Sequence, residues 1–215
     1  LDVDSTGMIF ANPNAPTGIE LSIEEIDGML AKYPKDKVFV VDEAYCDFGG
    51  ESCIPLIKEF DNLVIVRTFS KSFSLAGMRL GFVVANPKLI DAIFTVKNSF
   101  NHFPIDFVAK TAGTESCRDF TYYAENARKV SQERDSFISF LKEHGYFVID
   151  SKTNFVFTKK DGISGPQIYE AVKKAGILIR HFNTPGIEDF VRITVGTKEQ
   201  MNALRASFEK ILQNP

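Results

Sequence analysis

Short apolar runs rich in β-branched residues alternate with longer amphipathic segments through the first 85 residues of the chain. Apolar runs of this length between turn residues are typical of strands, and amphipathic segments are typical of helices. The pattern predicts a helix over 23–33, opened by a capping box, and strands over 7–11, 38–41, 63–68 and 80–85. Because the strands are almost entirely apolar, we expect an α/β fold whose sheet is covered on both faces.

The pattern becomes helical after Pro87 and alternates again after Gly145. It predicts helices over 88–97, 105–117, 119–143, 165–175 and 198–212 and strands over 154–158, 177–180 and 190–195. We therefore predict part of a large domain over 1–117, followed by a linking helix and a small α+β domain over 118–215. Since the chain starts at Leu1 and reaches an apolar run almost at once, we expect a fragment of a longer protein.

The charge distribution argues against nucleic acid and membranes as partners. The 25 basic and 28 acidic residues are scattered and leave a formal net charge of −3, so no basic stripe marks a nucleic-acid surface. No apolar stretch approaches the roughly 20 residues that a membrane-spanning helix needs. We therefore expect a soluble protein that binds a small molecule.

The cysteines and histidines lack the spacing of a disulfide framework or a metal site. Cys46, Cys53 and Cys117 are odd in number and form no Cys-x-x-Cys motif, which favours a reducing, cytoplasmic location. The three histidines have no metal-ligand spacing, and the chain has neither a Walker loop nor a Gly-x-Gly-x-x-Gly motif. We therefore predict neither a metal site nor nucleotide chemistry.

Polar residues follow the predicted strands at the positions where a ligand would bind, because ligands of open α/β sheets collect at the carboxyl ends of the strands. The four segments are Asn12-Pro13-Asn14-Ala15-Pro16-Thr17-Gly18, Asp42-Glu43-Ala44-Tyr45, Thr68-Phe69-Ser70-Lys71 and Gly77-Met78-Arg79-Leu80-Gly81. Taken alone, each has an ordinary explanation: a turn, a helix-capping aspartate, a solvated lysine or a surface arginine.

The residue types in these segments also suit an anionic ligand with a basic ring. A carboxylate that ends an apolar strand, such as Asp42, needs a cation or good donors, and a pyridinium nitrogen would serve. Lys71 at the same edge could act as a nucleophile and then as a general base. Small glycines beside Arg79 would let its guanidinium group approach a dianion closely.

In this order and spacing, the four segments resemble the fold-type I, aspartate-aminotransferase-like enzymes that use pyridoxal 5'-phosphate (PLP). The resemblance implies that Lys71 forms a Schiff base with PLP and that Asp42 pairs with its pyridine nitrogen. It implies that Tyr45 hydrogen-bonds the phenolic oxygen of the cofactor. The residues that it assigns to the phosphate are Thr68, Ser70 and Arg79.

The chain departs from the family pattern in the first segment. The family usually has Asn immediately before Pro-Thr-Gly, and here that position is Ala15. The neighbouring Asn14 is our candidate for the missing contact to the cofactor, with Asn12 as the alternative.

Two stretches of the small domain, Gly176 to Phe182 and Phe190 to Gly196, resemble histidinol-phosphate aminotransferases most closely. The resemblance implies that Arg192 binds the acidic group of the substrate through a bidentate fork, with Arg180 converging on the same pocket. It implies a homodimer that transfers an amino group between histidinol phosphate and 2-oxoglutarate in histidine biosynthesis.

Three alternatives stay open at this point. The protein could be an aromatic aminotransferase, a PLP-dependent decarboxylase or lyase of the same fold, or a non-catalytic module derived from such an enzyme. The family completes its site with groups from a segment that precedes this part of the fold and from the neighbouring subunit. We therefore expect the 215-residue chain alone to be poorly active.

Overall fold

The structure is a computed structural model that describes residues 5–213. Within it, the chain divides into two compact units, and the division falls inside one long helix. Of the described residues, the first unit comprises 5–14 and 20–125, and the second comprises 15–19 and 126–213. Across residues 5–213, no helix is both long and apolar enough to cross a membrane.

A mixed four-stranded sheet forms the centre of the first unit. Its strands are β1 (Gly7–Ala11), β2 (Val38–Asp42), β3 (Leu63–Thr68) and β4 (Gly81–Ala85), in the order β1-β2-β3-β4. The first three strands are parallel, and β4 runs antiparallel to β3. The predicted α/β fold with a mixed sheet is confirmed, and the strand bounds differ from the predicted ones by at most one residue.

Helices of the first unit are α1 (Ile23–Lys32), α2 (Pro87–Phe100) and α3 (Phe107–Arg118), and α4 (Phe120–Glu143) continues into the second unit. The capping box of α1 forms as predicted, because the Ser22 hydroxyl accepts from the Glu25 N–H and the Glu25 carboxylate accepts from the Ser22 N–H. Three short 3-10 helices at Cys46–Phe48, Ile54–Lys58 and Ala76–Met78 were not predicted, since so few residues carry no periodic pattern.

The two faces of the sheet differ in their cover. On one face, Phe39, Val41 and Ile65 pack with α1 into a buried apolar cluster. On the other face, the strands and α2 line an open apolar groove of about 420 Å³. Ile9 on β1 is also exposed. The prediction that both faces of the sheet are covered is therefore wrong for the second face of the described residues. An apolar strand sequence alone does not tell which element packs on it.

An antiparallel sheet forms the second unit, in the order β5-β6-β8-β7, with strands β5 (Phe147–Ile149), β6 (Phe155–Lys159), β7 (Arg180–His181) and β8 (Val191–Thr194). Helices α5 (Gly165–Lys174) and α6 (Lys198–Gln213) complete it. The core includes Phe137 and Phe208. The three-residue strand β5 was not predicted.

The predicted strand over 177–180 is wrong, since only Arg180 and His181 pair in the sheet. The backbone N–H of Ile177 instead donates to the carbonyl of Val172 and closes the end of α5. Gly176 makes this closure possible, because its positive φ of 81° is one that other residues rarely adopt. Leu178 is exposed, whereas Ile177 and Ile179 are partly buried against the core of the second unit, so this apolar run is a loop that follows α5.

Candidate active site

A cavity of about 420 Å³ lies at the carboxyl edge of the first sheet. Five of the residues predicted to bind a cofactor line it: Asp42, Thr68, Ser70, Lys71 and Arg79. They come together because β2 and β3 are parallel neighbours, so the loops that follow them leave the same edge. The volume falls in the range of small-molecule sites, roughly 300–1,000 Å³.

Asp42 is the last residue of β2 and pairs in register with Val66 of β3. Its Oδ1 atom accepts the backbone N–H of Ala44 at 3.0 Å, which turns the chain away from the sheet. Its own backbone carbonyl accepts the N–H of Asn12 at 2.9 Å. The carboxylate is thereby held at the cavity, where it can meet a cationic donor.

Lys71 follows β3 in a tight loop. The Nζ atom of Lys71 lies 5.1 Å from the centroid of the Tyr45 ring, which brings the predicted lysine and tyrosine together. The Lys71 carbonyl accepts the N–H of Ser74 at 3.0 Å, and Ser74 has a positive φ of 56°. A left-handed residue other than glycine is strained, and such strain concentrates at functional sites.

Arg79 lines the cavity and is exposed, and its Nη1 atom donates to the carbonyl of Ala76 at 3.1 Å. Glycine is required at the nearby Gly81 for a different reason from the predicted approach of Arg79 to a dianion. A Cβ atom there would lie 2.8 Å from the carbonyl oxygen of Arg67, so glycine is needed for β4 to pair with β3. Gly77 has open space around it.

The two predicted hydroxyl residues differ in their surroundings. The Thr68 hydroxyl accepts the backbone N–H of Ser70 at 3.1 Å and lies 3.5 Å from the carbonyl oxygen of Leu80. It therefore stabilises the loop as well as lining the cavity. Ser70 also lines the cavity, one position before Lys71.

Asn12 and Asn14 differ in burial and in the hydrogen bonds that their side chains are seen to make. Asn12 is buried, and its side-chain amide donates to the carbonyl of Leu21 at 3.0 Å and accepts the Leu21 N–H at 2.7 Å. Because both ends of this amide serve the turn, the alternative that Asn12 contacts a cofactor is disfavoured. Asn14 is half-buried, and its role at the site stays a prediction.

Arg180 and Arg192 lie directly opposite each other on β7 and β8 in the second unit. Both guanidinium groups stack over the ring of Phe182, at 5.4 and 5.6 Å from its centroid. Arg192 also lies 4.9 Å from the Phe155 ring, and its Nε atom is buried without a hydrogen-bond partner among the described residues. The predicted arginine pair is therefore adjacent and suited to an anion.

A group of charged residues beside the cavity was not predicted. Arg67 donates from Nη1 to the Glu43 carboxylate at 2.9 Å and from Nη2 to the Asp47 carboxylate. The Ser72 hydroxyl donates to the other oxygen of Asp47. We call these four residues the Arg67 network. An arginine in the otherwise apolar strand β3 was the available signal, since a charge there needs a partner.

Two buried thiols lie next to the Arg67 network. Burial, followed by the negative charge of Glu43, raises the pKa of Cys46 and of Cys53 to about 12. Both thiols therefore stay protonated at neutral pH and are poor nucleophiles.

Comparison with known proteins identifies the family of the chain. Residues 2–208 match the family described as aminotransferase class I and II. The chain is 48% identical over 207 residues to the histidinol-phosphate aminotransferase of Syntrophus aciditrophicus strain SB, which covers 96% of this chain and 57% of that protein. The chain thus spans well under two thirds of that relative's length.

Two solved structures have the same fold. The histidinol-phosphate aminotransferase from Clostridium acetobutylicum has a TM-score of 0.88 at 28% identity, covering 99% of this chain and 65% of that one. L-threonine-O-3-phosphate decarboxylase from Porphyromonas gingivalis has a TM-score of 0.81 at 27% identity, covering 96% and 64%. The family match over residues 2–208 is the strongest of these findings. The chain therefore belongs to the aminotransferase class I and II family.

Proposed function

We propose that the protein is a PLP-dependent aminotransferase that transfers the amino group of histidinol phosphate to 2-oxoglutarate, giving imidazole-acetol phosphate and glutamate. The observation that carries the proposal is the cavity lined by Asp42, Lys71 and Arg79 at one sheet edge. The 48% identity to a histidinol-phosphate aminotransferase supports the choice of substrate.

The donor set of this cavity fits PLP. A carboxylate suits the pyridine nitrogen, a lysine amine suits the aldehyde carbon, and a guanidinium group suits the phosphate dianion. Asp42, Lys71 and Arg79 supply these three groups, and Ser70 and Thr68 add hydroxyls. Tyr45, beside Lys71, is the candidate donor to the phenolic oxygen.

Bound PLP supplies an electron sink that stabilises negative charge at the substrate α-carbon. Asp42 holds the proton on the ring nitrogen, which keeps that sink effective. The Nζ atom of Lys71 accepts the proton that leaves the substrate α-carbon, as a general base. Arg79 holds the phosphate, which fixes the orientation of the ring.

Arg192 and Arg180 bind the anionic group of each substrate. Histidinol phosphate carries a phosphate and 2-oxoglutarate carries carboxylates, and paired guanidinium groups bind both in bidentate fashion. The buried Nε atom of Arg192, which lacks a partner among the described residues, supports this role because a buried donor needs an acceptor.

Borohydride reduction of the full-length protein with PLP, followed by peptide mass mapping, tests the cofactor site. We expect a pyridoxyl adduct on Lys71, and an adduct on another residue contradicts the assignment. A screen of amino donors with 2-oxoglutarate then tests the substrate. We expect glutamate to form fastest with histidinol phosphate, whereas a preference for phenylalanine would indicate an aromatic aminotransferase.

A second candidate is a decarboxylase that acts on a phosphorylated amino acid. The TM-score of 0.81 to L-threonine-O-3-phosphate decarboxylase favours it, and an arginine pair suits a phosphate in either reaction. Product analysis separates the two, because the decarboxylase releases carbon dioxide without forming glutamate. A full-length protein that binds no PLP would instead be a non-catalytic module.

We also propose a cytoplasmic homodimer. Cys46, Cys53 and Cys117 are all free thiols, which suits a reducing compartment. Homodimers are expected from the family resemblance. Analytical ultracentrifugation of the full-length protein tests the dimer, and a monomer at micromolar concentration contradicts it.

A further inference from the structure

The Arg67 network lies beside the cavity, because Arg67 is one of the residues that line it. Side chains alternate along a strand, so the guanidinium group of Arg67 projects to the opposite side from the Thr68 side chain, and it reaches Glu43 and Asp47. Glu43 continues the pairing of β2 with β3, because its backbone N–H donates to the Val66 carbonyl at 2.9 Å. The ion pair with Glu43 therefore lies where β2 and β3 end, directly beside the cavity.

Each partner of Arg67 is close in sequence to a proposed cofactor residue. Glu43 directly follows Asp42, and Asp47 comes two positions after Tyr45. Ser72, which donates to Asp47, directly follows Lys71. One guanidinium group thus connects the segment after β2, which presents the carboxylate and the phenol, to the loop after β3, which presents the amine.

Burial makes these connections strong. The Glu43 side chain is 0% exposed, compared with 15% for Arg67 and 24% for Asp47. The Glu43 carboxylate also accepts from the Cys53 N–H at 2.6 Å and from the Ser52 hydroxyl at 2.7 Å. A carboxylate in this setting cannot be left without its cation, because an unpaired buried charge is strongly destabilising.

We infer that Arg67 is a positioning residue: through Glu43 on one side and Asp47 with Ser72 on the other, it fixes the Lys71 amine relative to Asp42. This inference rests on the proposed function. Small displacements of a reacting group lower reaction rates steeply, so a network that holds the loops around the cavity can control the attachment of the cofactor. A network that only stabilised the fold would leave the attachment rate unchanged.

Two variants of the full-length protein test the inference. Ser72→Ala removes only the link nearest to Lys71, and Arg67→Lys keeps the charge but loses the fork that bridges two carboxylates. Arg205→Lys is the matched control, because Arg205 forms a comparably covered ion pair with Glu133 at 2.7 Å in the second unit. The readouts are the melting temperature, kcat and KM for histidinol phosphate, and the rate at which added PLP becomes reducible by borohydride onto Lys71.

Ser72→Ala and Arg67→Lys are each expected to slow the labelling of Lys71 and to lower kcat about tenfold with little change in KM, the loss expected for a hydrogen bond to a charged group. Arg205→Lys is expected to lower only the melting temperature. The inference is overturned if both site variants keep the wild-type labelling rate and kcat. It is also overturned if Arg205→Lys lowers the labelling rate and kcat as much as they do.

Two further outcomes are distinguishable. If Arg67→Lys fails to fold, Ser72→Ala decides, because it removes a single hydrogen bond. If the wild-type protein gives no adduct on Lys71, the proposed function fails and this inference fails with it. A wild-type adduct with unaffected variants overturns the inference alone.

Discussion

At the scale of single residues, one side-chain amide holds the turn beside the candidate site. Asn12 is buried and bonds both the N–H and the carbonyl of Leu21, as a neighbouring strand would. Its own backbone N–H donates to the carbonyl of Asp42. The residue therefore connects the turn to the end of β2, where the proposed cofactor carboxylate is located.

Replacing Asn12 with Ala is expected to lower the free energy of unfolding by about 1–3 kcal/mol, since the Leu21 backbone groups lose their partners. Urea denaturation monitored by circular dichroism measures the change. Asn98→Ala is the control, because Asn98 is exposed on α2 and should change stability little. Equal stability of the two variants would contradict the structural role of Asn12.

Arg192→Lys is expected to raise KM for histidinol phosphate by about tenfold or more, because lysine cannot reproduce a bidentate fork. The borohydride adduct on Lys71 should form as in the wild-type protein. Steady-state kinetics of the full-length protein provide the measurement, with Arg205→Lys as a control arginine of the same unit. An unchanged KM would remove Arg192 from the proposed substrate site.

At the scale of elements, strand order brings the site together. The parallel pairing of β2 with β3 places Asp42 and the Lys71 loop at one edge, although about 30 residues separate them in sequence. Helix α1 contributes Ile26 and Leu30 to the apolar cluster on one face of this sheet. The stability of α1 therefore supports the sheet that carries the cavity.

Ser22→Ala should lower the free energy of unfolding by about 1 kcal/mol, because α1 loses its capping box. Thermal and urea denaturation both report the loss. Ser139→Ala is the matched control, since Ser139 is exposed inside α4 and its hydroxyl donates only to the carbonyl of Asp135. A larger loss for Ser139→Ala than for Ser22→Ala would contradict the capping role.

At the scale of the whole molecule, folding controls the reactivity of two thiols. Cys46 and Cys53 are buried beside Glu43, which raises the pKa of each to about 12. The thiol of an unfolded cysteine has a pKa of roughly 8.5. The folded state therefore holds protons that the unfolded state releases, and this contribution to stability is complete below about pH 8.5 and decreases as the pH rises toward 12.

Iodoacetamide at pH 8 is therefore expected to alkylate Cys46 and Cys53 only after the protein unfolds. Peptide mass mapping with and without urea measures the modification at each cysteine. The exposed Cys117 serves as the internal control for reagent activity. Rapid alkylation of Cys53 in the absence of denaturant would show that the buried cluster opens readily.

The 215-residue chain alone is expected to be poorly active, because its curated relative is considerably longer and the apolar groove beside α2 is open. Its PLP-dependent formation of glutamate, compared with that of the full-length protein at equal concentration, provides the measurement. Steady turnover by the chain alone at the rate of the full-length protein would contradict this expectation.

The sequence alone predicted the elements with strong local patterns. The apolar runs of β1 and β3 and the capping box of α1 depend on neighbouring residues, so their bounds follow directly from the sequence. The order of motifs also led to the family, which the match over residues 2–208 confirms. The strand predicted over 177–180 was wrong because an apolar run can equally cover a helix end.

Only the tertiary structure revealed which charges meet. The motif around Lys71 is local and could be recognised in the sequence, whereas the partners of Arg67, Asp47 and Ser72 are 20 or more residues distant. The hydrogen bonds of the Asn12 amide to Leu21 likewise join residues nine positions apart, and the role of Asn14 stays a prediction. The physical reason is that local patterns determine elements, whereas the pairing of buried polar groups depends on which elements pack together.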